Sequence, residues 1–289
     1  MRASFLFVLL LQDAVPGDAT IRAQAGKSEL VIRTTSRLAG AIDSLTWDGK
    51  EFINSVDHGR QLQSASNLDA GSPLSDETFN PTEAGSRADH VGPTSSSRLL
   101  SLKAEANVLE TRSKMAFWLR PGERSGKNLA KNTTILSEHV LAKKVTIGVR
   151  DLPQVVEYLV TFTLPGDEKH TAATFEALTG YMPPEFSRFL VYDPATKSEK
   201  PLGPGPGEQA LPVIFSTESG SHAMGIYSPE PAARYGRFRF EEHRVVKWNC
   251  VFRVRNAEGI PPGDFKYRCY VPVGTLENVV AALRRLHQM

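Results

Sequence analysis

Period-two alternation of apolar and polar side chains runs through residues 108–120. The even positions are Val108, Glu110, Arg112, Lys114, Ala116, Trp118 and Arg120, and the odd ones are Leu109, Thr111, Ser113, Met115, Phe117 and Leu119. Successive side chains of a strand point to opposite faces, so this pattern describes a strand buried on one side only. The odd side belongs to a core. The even side sets an indole among guanidinium and ammonium groups. That combination suits a groove holding a flat-faced, anionic ligand, for which a sugar is the natural candidate.

Strand signals dominate the rest of the chain. They fall near residues 28–35, 41–47, 51–54, 61–65, 98–106, 108–119, 133–139, 141–149, 155–164 and 171–179. Others follow near 188–192, 211–216, 223–227, 236–241, 245–254 and 265–273. Asp48-Gly49 is a hairpin turn, because both residues tolerate positive φ. Pro165-Gly166-Asp167 marks another turn. Helical periodicity occurs once: Leu276, Val279, Val280, Leu283 and Leu286 share one face, with Thr275 as N-cap. Two long irregular stretches, 67–97 and 194–209, are rich in turn residues, and long loops in a compact domain are usually functional or disordered. Many short strands and one helix predict an all-β fold, a large antiparallel β-sandwich with one C-terminal helix, as a single domain over residues 26–289.

The 289 residues are enough to bury a sizeable core without staples. A net charge of +2 argues against global nucleic-acid binding. Residues 1–25 read as an export signal: Arg2 precedes an apolar run over 5–11, and Ala23-Gln24-Ala25 fits the small-x-small cleavage rule. A secreted or periplasmic location follows from that reading, with no membrane contact after cleavage. The alternative is a buried first strand. The two cysteines lie in strand-like runs that pair as a hairpin, with Cys250 opposite Cys269, Phe252 opposite Tyr267 and Trp248 opposite Val271. Either a disulfide or two core thiols fits that register.

The densest polar cluster beside a strand is Asp57-His58-Gly59-Arg60-Gln61-Leu62-Gln63. Arg60 and Gln63 offer fixed hydrogen-bonding geometry to a carboxylate or to hydroxyls, and His58 can move a proton near neutral pH. Asn80 and Glu83 lie within the first long loop, as a hydroxyl binder and a carboxylate acid or base. His139 ends a strand-like run and is a second proton-transfer candidate. Glu157 and Glu176 sit on the polar sides of their strands. Tyr181 and Arg188 flank a Pro-rich rigid loop. Lys247, Asn249 and Arg253 share a polar face opposite Cys250, repeating the pattern of Arg112, Trp118 and Arg120. Solvent exposure is the plain reading of this basic face, since edge strands carry cations to deter aggregation. Phosphate loops, serine elbows and His-Glu-x-x-His are absent, the seven histidines do not cluster at metal spacing, and no metal or cofactor is expected.

The run Leu38-Ala39-Gly40-Ala41-Ile42-Asp43-Ser44-Leu45-Thr46-Trp47-Asp48-Gly49-Lys50-Glu51 resembles the opening of the galactose-mutarotase-like proteins. There a strand carries Gly-x-Ile-x-Ser-Leu and turns through Gly-Lys-Glu into the next strand. Gly59-Arg60 is similar to their early substrate-side Arg. The resemblance covers residues 38–63 and implies a β-supersandwich whose concave face binds sugars. The Asn-His-x-Tyr-Phe-Asn run of the epimerases has no counterpart here. The leading expectation is an exported carbohydrate-active enzyme on an acidic poly- or oligosaccharide, working by lyase-type β-elimination. Arg60 with Gln63 or Asn80 would neutralise a uronate carboxylate. His58 or His139, backed by Tyr181, would move the proton, and Arg112, Trp118 and Arg120 would hold flanking sugars. The rival expectations are an epimerase-like or glycoside-hydrolysing enzyme using Glu83, Glu157 or Glu176, and a noncatalytic carbohydrate-binding protein.

Overall fold

A computed structural model of the chain describes residues 15–71 and 73–289. Among these residues the fold is all-β and antiparallel, with one α-helix, Leu276–Leu286. An outer layer runs, in hydrogen-bonded order, through Arg98–Glu105, Val108–Phe117, Leu136–Val149, Leu152–Leu164, Gly263–Gly274, Ala223–Ile226, Val213–Ser216, Arg188–Asp193 and Ser198–Pro201. An inner layer runs through Gly207–Gln209, Arg234–Phe240, Val245–Arg255, Ala172–Met182 and Leu62–Leu68. Pro81–Thr82 pairs with strands of both layers, so the ladders join into one 19-stranded sheet.

The core fills the space between the layers. Phe162 of the outer layer meets Phe175 of the inner one with ring centroids 5.0 Å apart, and Tyr267 stacks on Phe252 at 4.2 Å. Such buried aromatic pairs add about 0.5–1.5 kcal/mol beyond their area. Trp248 is fully buried and lies opposite Gly180 in the ladder. A methyl group at position 180 would overlap the indole, so a glycine is required there. The helix covers the far side of the outer layer. Its Val279, Ala282, Leu283 and Leu286 join Leu152, Val155, Leu190, Tyr192 and Ile214 in a second buried cluster. Thr275 Oγ1 accepts from Asn278 N at 3.2 Å, as expected of the N-cap. Asp48 and Gly49 both have positive φ, which gives the primed hairpin turn between Trp47 and Lys50.

Three expectations need correction. The runs 133–139 and 141–149 are one strand, Leu136–Val149. The cysteine-bearing strands do not pair as a hairpin. Val245–Arg255 bonds to Ala172–Met182 and Arg234–Phe240, whereas Gly263–Gly274 bonds to Leu152–Leu164 and Ala223–Ile226. The stacking of Phe252 on Tyr267 survives because it runs between layers rather than within one, and both cysteines are buried free thiols. The strand Val108–Phe117 ends before Trp118. Ala19–Ala25 is a strand paired over its whole length with Ser28–Thr34, with Ile21 and Ala25 buried. A cut after Ala25 would remove that strand. The apolar run 5–11 lies outside the described residues.

Two outcomes follow for stability. Gly180→Ala should lower the free energy of unfolding by about 1–3 kcal/mol, through overpacking against Trp248, read by thermal or urea denaturation. A chain starting at Gly26 should melt below one starting at Val15. Equal melting would mean that the first strand contributes nothing to the sheet.

Candidate functional site

The inner layer is concave, and the segment 73–97 folds across one side of it. Together they enclose a cleft of about 610 Å³. Its floor is a lattice of cross-strand neighbours. Asn67, Thr174 and Arg253 form one row; Ala65, Glu176 and Val251 form the next; Gln63, Thr179 and Asn249 form a third; Tyr181, Lys247 and Phe238 form the last. Leu74, Asp76, Glu77, Asn80 and Thr82 come from the loop, and Trp118 closes a wall.

These rows exist because of one irregularity. Along Ala172–Met182, Thr174 and Glu176 face the cleft at even positions, whereas Thr179 and Tyr181 face it at odd ones. The switch is a β-bulge: Glu176 pairs with Val251 but Leu178 pairs with Cys250, and the register to Leu62–Leu68 shifts at the same place. The extra residue, Ala177, lets Ala177 and Leu178 both stay buried while Tyr181 joins Glu176 on the cleft side.

Glu176 is the hub. Its Oε2 accepts from Thr179 Oγ1 at 2.5 Å and lies 3.3 Å from Lys247 Nζ, and its Oε1 accepts from Asn249 Nδ2 at 3.1 Å. Asn249 is itself oriented by Gly236 N, which donates to its Oδ1 at 3.0 Å. Burial alone would push the Glu176 carboxyl up, but the Lys247 charge and the Thr179 and Asn249 hydrogen bonds bring it below the usual carboxylate range. Lys247 resists the opposite effect of burial, because Glu176 and Tyr181 hold its ammonium charged and its pKa raised. Its Nζ also lies 5.1 Å from the Tyr181 ring centroid and 5.4 Å from that of Phe238. The Tyr181 phenol is pushed up by burial, and Lys247 offsets only part of this. The cleft therefore holds an ionised carboxylate and a protonated phenol around one ammonium.

Trp118 stands on Gly59, where a Cβ would come within 2.6 Å of the indole. Its main chain is fixed by Trp118 N donating to Asn80 O at 2.8 Å and by Arg87 N donating to Trp118 O at 2.8 Å. The half-exposed ring is thus a preorganised platform on the cleft wall.

Of the residues singled out in the sequence, Gln63, Asn80, Trp118, Tyr181, Lys247 and Asn249 converge here. Gln63 braces the wall, donating from Nε2 to Gly59 O at 3.0 Å and accepting at Oε1 from Ala84 N at 3.2 Å. Asn80 Nδ2 donates to Ser66 O. The others are placed elsewhere. His58 is buried, with Nδ1 2.7 Å from His90 O and Nε2 2.9 Å from Arg37 O, so both ring nitrogens are engaged away from the cleft. Arg60 is forked onto Asp57 Oδ2 at 2.9 and 2.5 Å and does not line the cleft, although its neighbour Gly59 does. Arg112 is exposed on the outer layer, Arg120 is exposed in the turn after Trp118, and Arg188 donates to Glu218 O near the helix. Glu157 faces Arg268 on the outer layer, 3.4 Å away.

His139 and Glu83 are interior groups. The inward side of Leu136–Val149 carries Ser137, His139, Leu141, Lys143, Val145 and Ile147, all buried. Lys143 Nζ forms an ion pair with Glu83, and Glu83 Oε2 also accepts from Ser64 N at 3.1 Å. The pair ties the loop to the outer layer and is buried away from solvent. His139 Nε2 lies 2.7 Å from Glu168 Oε2, which His170 Nε2 also approaches to 2.9 Å. Burial would raise the Glu168 carboxyl, but the two imidazoles outweigh it and hold it down at about 2.

Sequence reasoning weighed Glu176 without placing it at the centre, and it missed Thr179, Phe238, Asp76 and Glu208. The usable signal was the unbroken alternation of Lys247, Asn249, Val251 and Arg253.

Comparison with solved structures shows a shared fold. A protein of glycosyl hydrolase family 38 from Enterococcus faecalis superimposes with a TM-score of 0.52 at 11% identity, covering 92% of this chain and 32% of that one. This chain therefore spans about a third of that protein. The Slr1438 protein from Synechocystis sp. PCC 6803 gives a TM-score of 0.49 at 9% identity, with 89% and 96% covered. A galactose mutarotase-like protein from Clostridium acetobutylicum gives 0.43 at 9% identity, with 89% and 95% covered. No family model and no curated protein matches the chain. The chain shares the large antiparallel β-sandwich fold of the part of the family 38 protein that it covers. At these identities the likeness bears on fold alone.

Glu83→Gln should cost about 3–5 kcal/mol of stability, because it leaves the Lys143 ammonium buried and unpaired. A melting temperature equal to that of the parent chain would contradict the structural role of the pair.

Proposed function

We propose that the chain is a carbohydrate-active enzyme that performs acid–base chemistry on a neutral sugar in the concave cleft. The observation that carries this reading is the placement of Glu176 and Tyr181 on one side of the cleft around one ammonium, with Lys247 Nζ 3.3 Å from Glu176 Oε2 and 5.1 Å from the Tyr181 ring centroid. A carboxylate and a phenol held side by side can take and give a proton within one site. Glu176, ionised, is the base. Tyr181, protonated, is the acid. The Glu176 carboxylate takes the proton of the anomeric hydroxyl while the Tyr181 phenol gives its proton to the ring oxygen. The bond from the anomeric carbon to that oxygen breaks, and a carbonyl forms. Lys247 stabilises the phenolate left behind. Trp118 stacks on the sugar, and Asn80 and Asn249 meet its hydroxyls.

The charge balance favours a neutral ligand over the acidic one expected from sequence. Four acids line the cleft, Asp76, Glu77, Glu176 and Glu208, against two bases, Lys247 and Arg253. Both bases are engaged: Lys247 on Glu176, and Arg253 bidentate on Glu208 at 2.9 and 2.7 Å. A uronate would meet a net negative surface. Export belongs to the same proposal. Gly17 O accepts from Thr34 Oγ1 at 2.7 Å, so a leader compatible with the fold would be cut upstream of Gly17, which N-terminal sequencing of secreted protein tests.

The test is a panel of aldoses and oligosaccharides followed by anomer-exchange NMR, reducing-end release and ultraviolet absorbance. Glu176→Gln and Tyr181→Phe should each reduce turnover about 10²- to 10⁴-fold with ligand binding retained. Trp118→Ala should weaken binding by about 1–3 kcal/mol, the range for loss of an aromatic stacking partner. Unaltered turnover in Glu176→Gln would overturn the assignment. An unsaturated, ultraviolet-absorbing product from a uronate polymer would restore the elimination reading.

A further inference from the structure

We propose that His139, Glu168 and His170 form a binding site for a first-row divalent cation, zinc being the ion that best suits the donors. The three residues lie beyond the cleft, and the inference does not rest on the carbohydrate reading. His139 projects inward from Leu136–Val149, while Glu168 and His170 belong to the turn between Leu152–Leu164 and Ala172–Met182. Their donor atoms lie within 4.8 Å of one another. Both histidines are buried, whereas Glu168 is partly exposed at a cavity lined also by Asp69, Lys169 and Ile260.

Two imidazoles and one carboxylate are the donor set of three-ligand zinc sites, in which a fourth position is left to water. Both Nε2 atoms converge on the same carboxylate oxygen, at 2.7 and 2.9 Å. Ligands around a tetrahedral ion stand about 3.3 Å apart, so a modest spreading of the side chains makes room for one. The outer nitrogens point the same way. Both Nδ1 atoms are buried and neither has a hydrogen-bond partner. That of His170 lies 3.6 Å from Asp69 Oδ1. With both Nε2 lone pairs on a cation, the His170 Nδ1–H faces the Asp69 carboxylate, the outer partner that metal-bound histidines usually have. An ion there would tie Leu136–Val149 to the turn beside Ala172–Met182, so binding would add to folding stability.

The full chain, stripped with chelator, reloaded with Zn²⁺ and desalted, should carry one zinc per molecule. Co²⁺ loading should give the visible absorption of a four-coordinate ion. Zinc should raise the melting temperature. Glu168→Gln and His170→Asn should each weaken zinc binding more than about tenfold and abolish the thermal shift, while His243→Ala, on an exposed turn, should change neither. Near-ultraviolet circular dichroism verifies that the variants fold. Less than one-tenth of a zinc per chain, or equal affinity in the parent and in folded Glu168→Gln, would overturn the proposal and leave a His–Glu–His hydrogen-bond network.

Discussion

The bulge at Ala177 is the constraint on which the cleft depends. A regular strand would place Glu176 and Tyr181 on opposite faces, since they differ by an odd number of positions. Tyr181 would then turn into the core beside Trp248, and the cleft would lose its phenol. The inserted residue re-aims the second half of the strand without breaking its ladder to either neighbour, because both registers shift at the same point. Bulges of this kind recur beside functional sites for that reason. Downstream of it, Gly180 admits the Trp248 indole, so the re-aimed half packs tightly enough to stay fixed.

Beneath the cleft, the inward side of Leu136–Val149 carries more polarity than a sandwich core usually tolerates. Lys143 and His139 are both buried there. Each is matched across the interior by an acid from an irregular segment, Glu83 and Glu168. Desolvating such groups is expensive, and pairing recovers only part of the cost. What the pairs supply is placement: a loop with little regular structure is pinned where only one acid–base match satisfies its charge. The Glu83 segment carries Asn80 and Thr82 into the cleft wall and supports Trp118 through main-chain hydrogen bonds, so interior electrostatics and cleft shape are linked.

What was legible in the sequence followed from local periodicity. The strands, the Asp48-Gly49 turn and the capped helix all came from patterns within about a dozen residues. Lys247 and Asn249 were found because Val245–Arg255 alternates without interruption. Tyr181, which the sequence sets in a Pro-rich loop, belongs to the strand Ala172–Met182, because a single inserted residue leaves no mark in the alternation. His58, Arg60 and Glu83 do not line the cleft, because their partners His90, Arg37, Asp57 and Lys143 meet them only in three dimensions or, for Asp57, compete at short range. One signal was available and passed over: Lys143 and His139 occupy the same alternating positions as Leu141, Val145 and Ile147. A charge and an imidazole on an otherwise apolar face announce buried partners. The cysteine strands show the converse. Facing apolar sets identify contact, but they do not distinguish a hydrogen-bonded neighbour from the opposite layer.

On the proposed reading, the arrangement around Glu176 suits chemistry on a ligand without strong charge. Each polar group that touches the carboxylate is itself held: Asn249 by a main-chain N–H, Thr179 by the ladder, and Lys247 by two aromatic faces. Dipoles fixed in this way need not reorganise when charge moves between ligand and protein, and in a half-buried site they act with less screening than in water. An anionic ligand would compete with Glu176 for Lys247 and dismantle that order. A ligand offering only hydroxyls leaves the ion pair intact, lets the carboxylate take up a proton while the phenol gives one away, and returns the same balance of charge at the end.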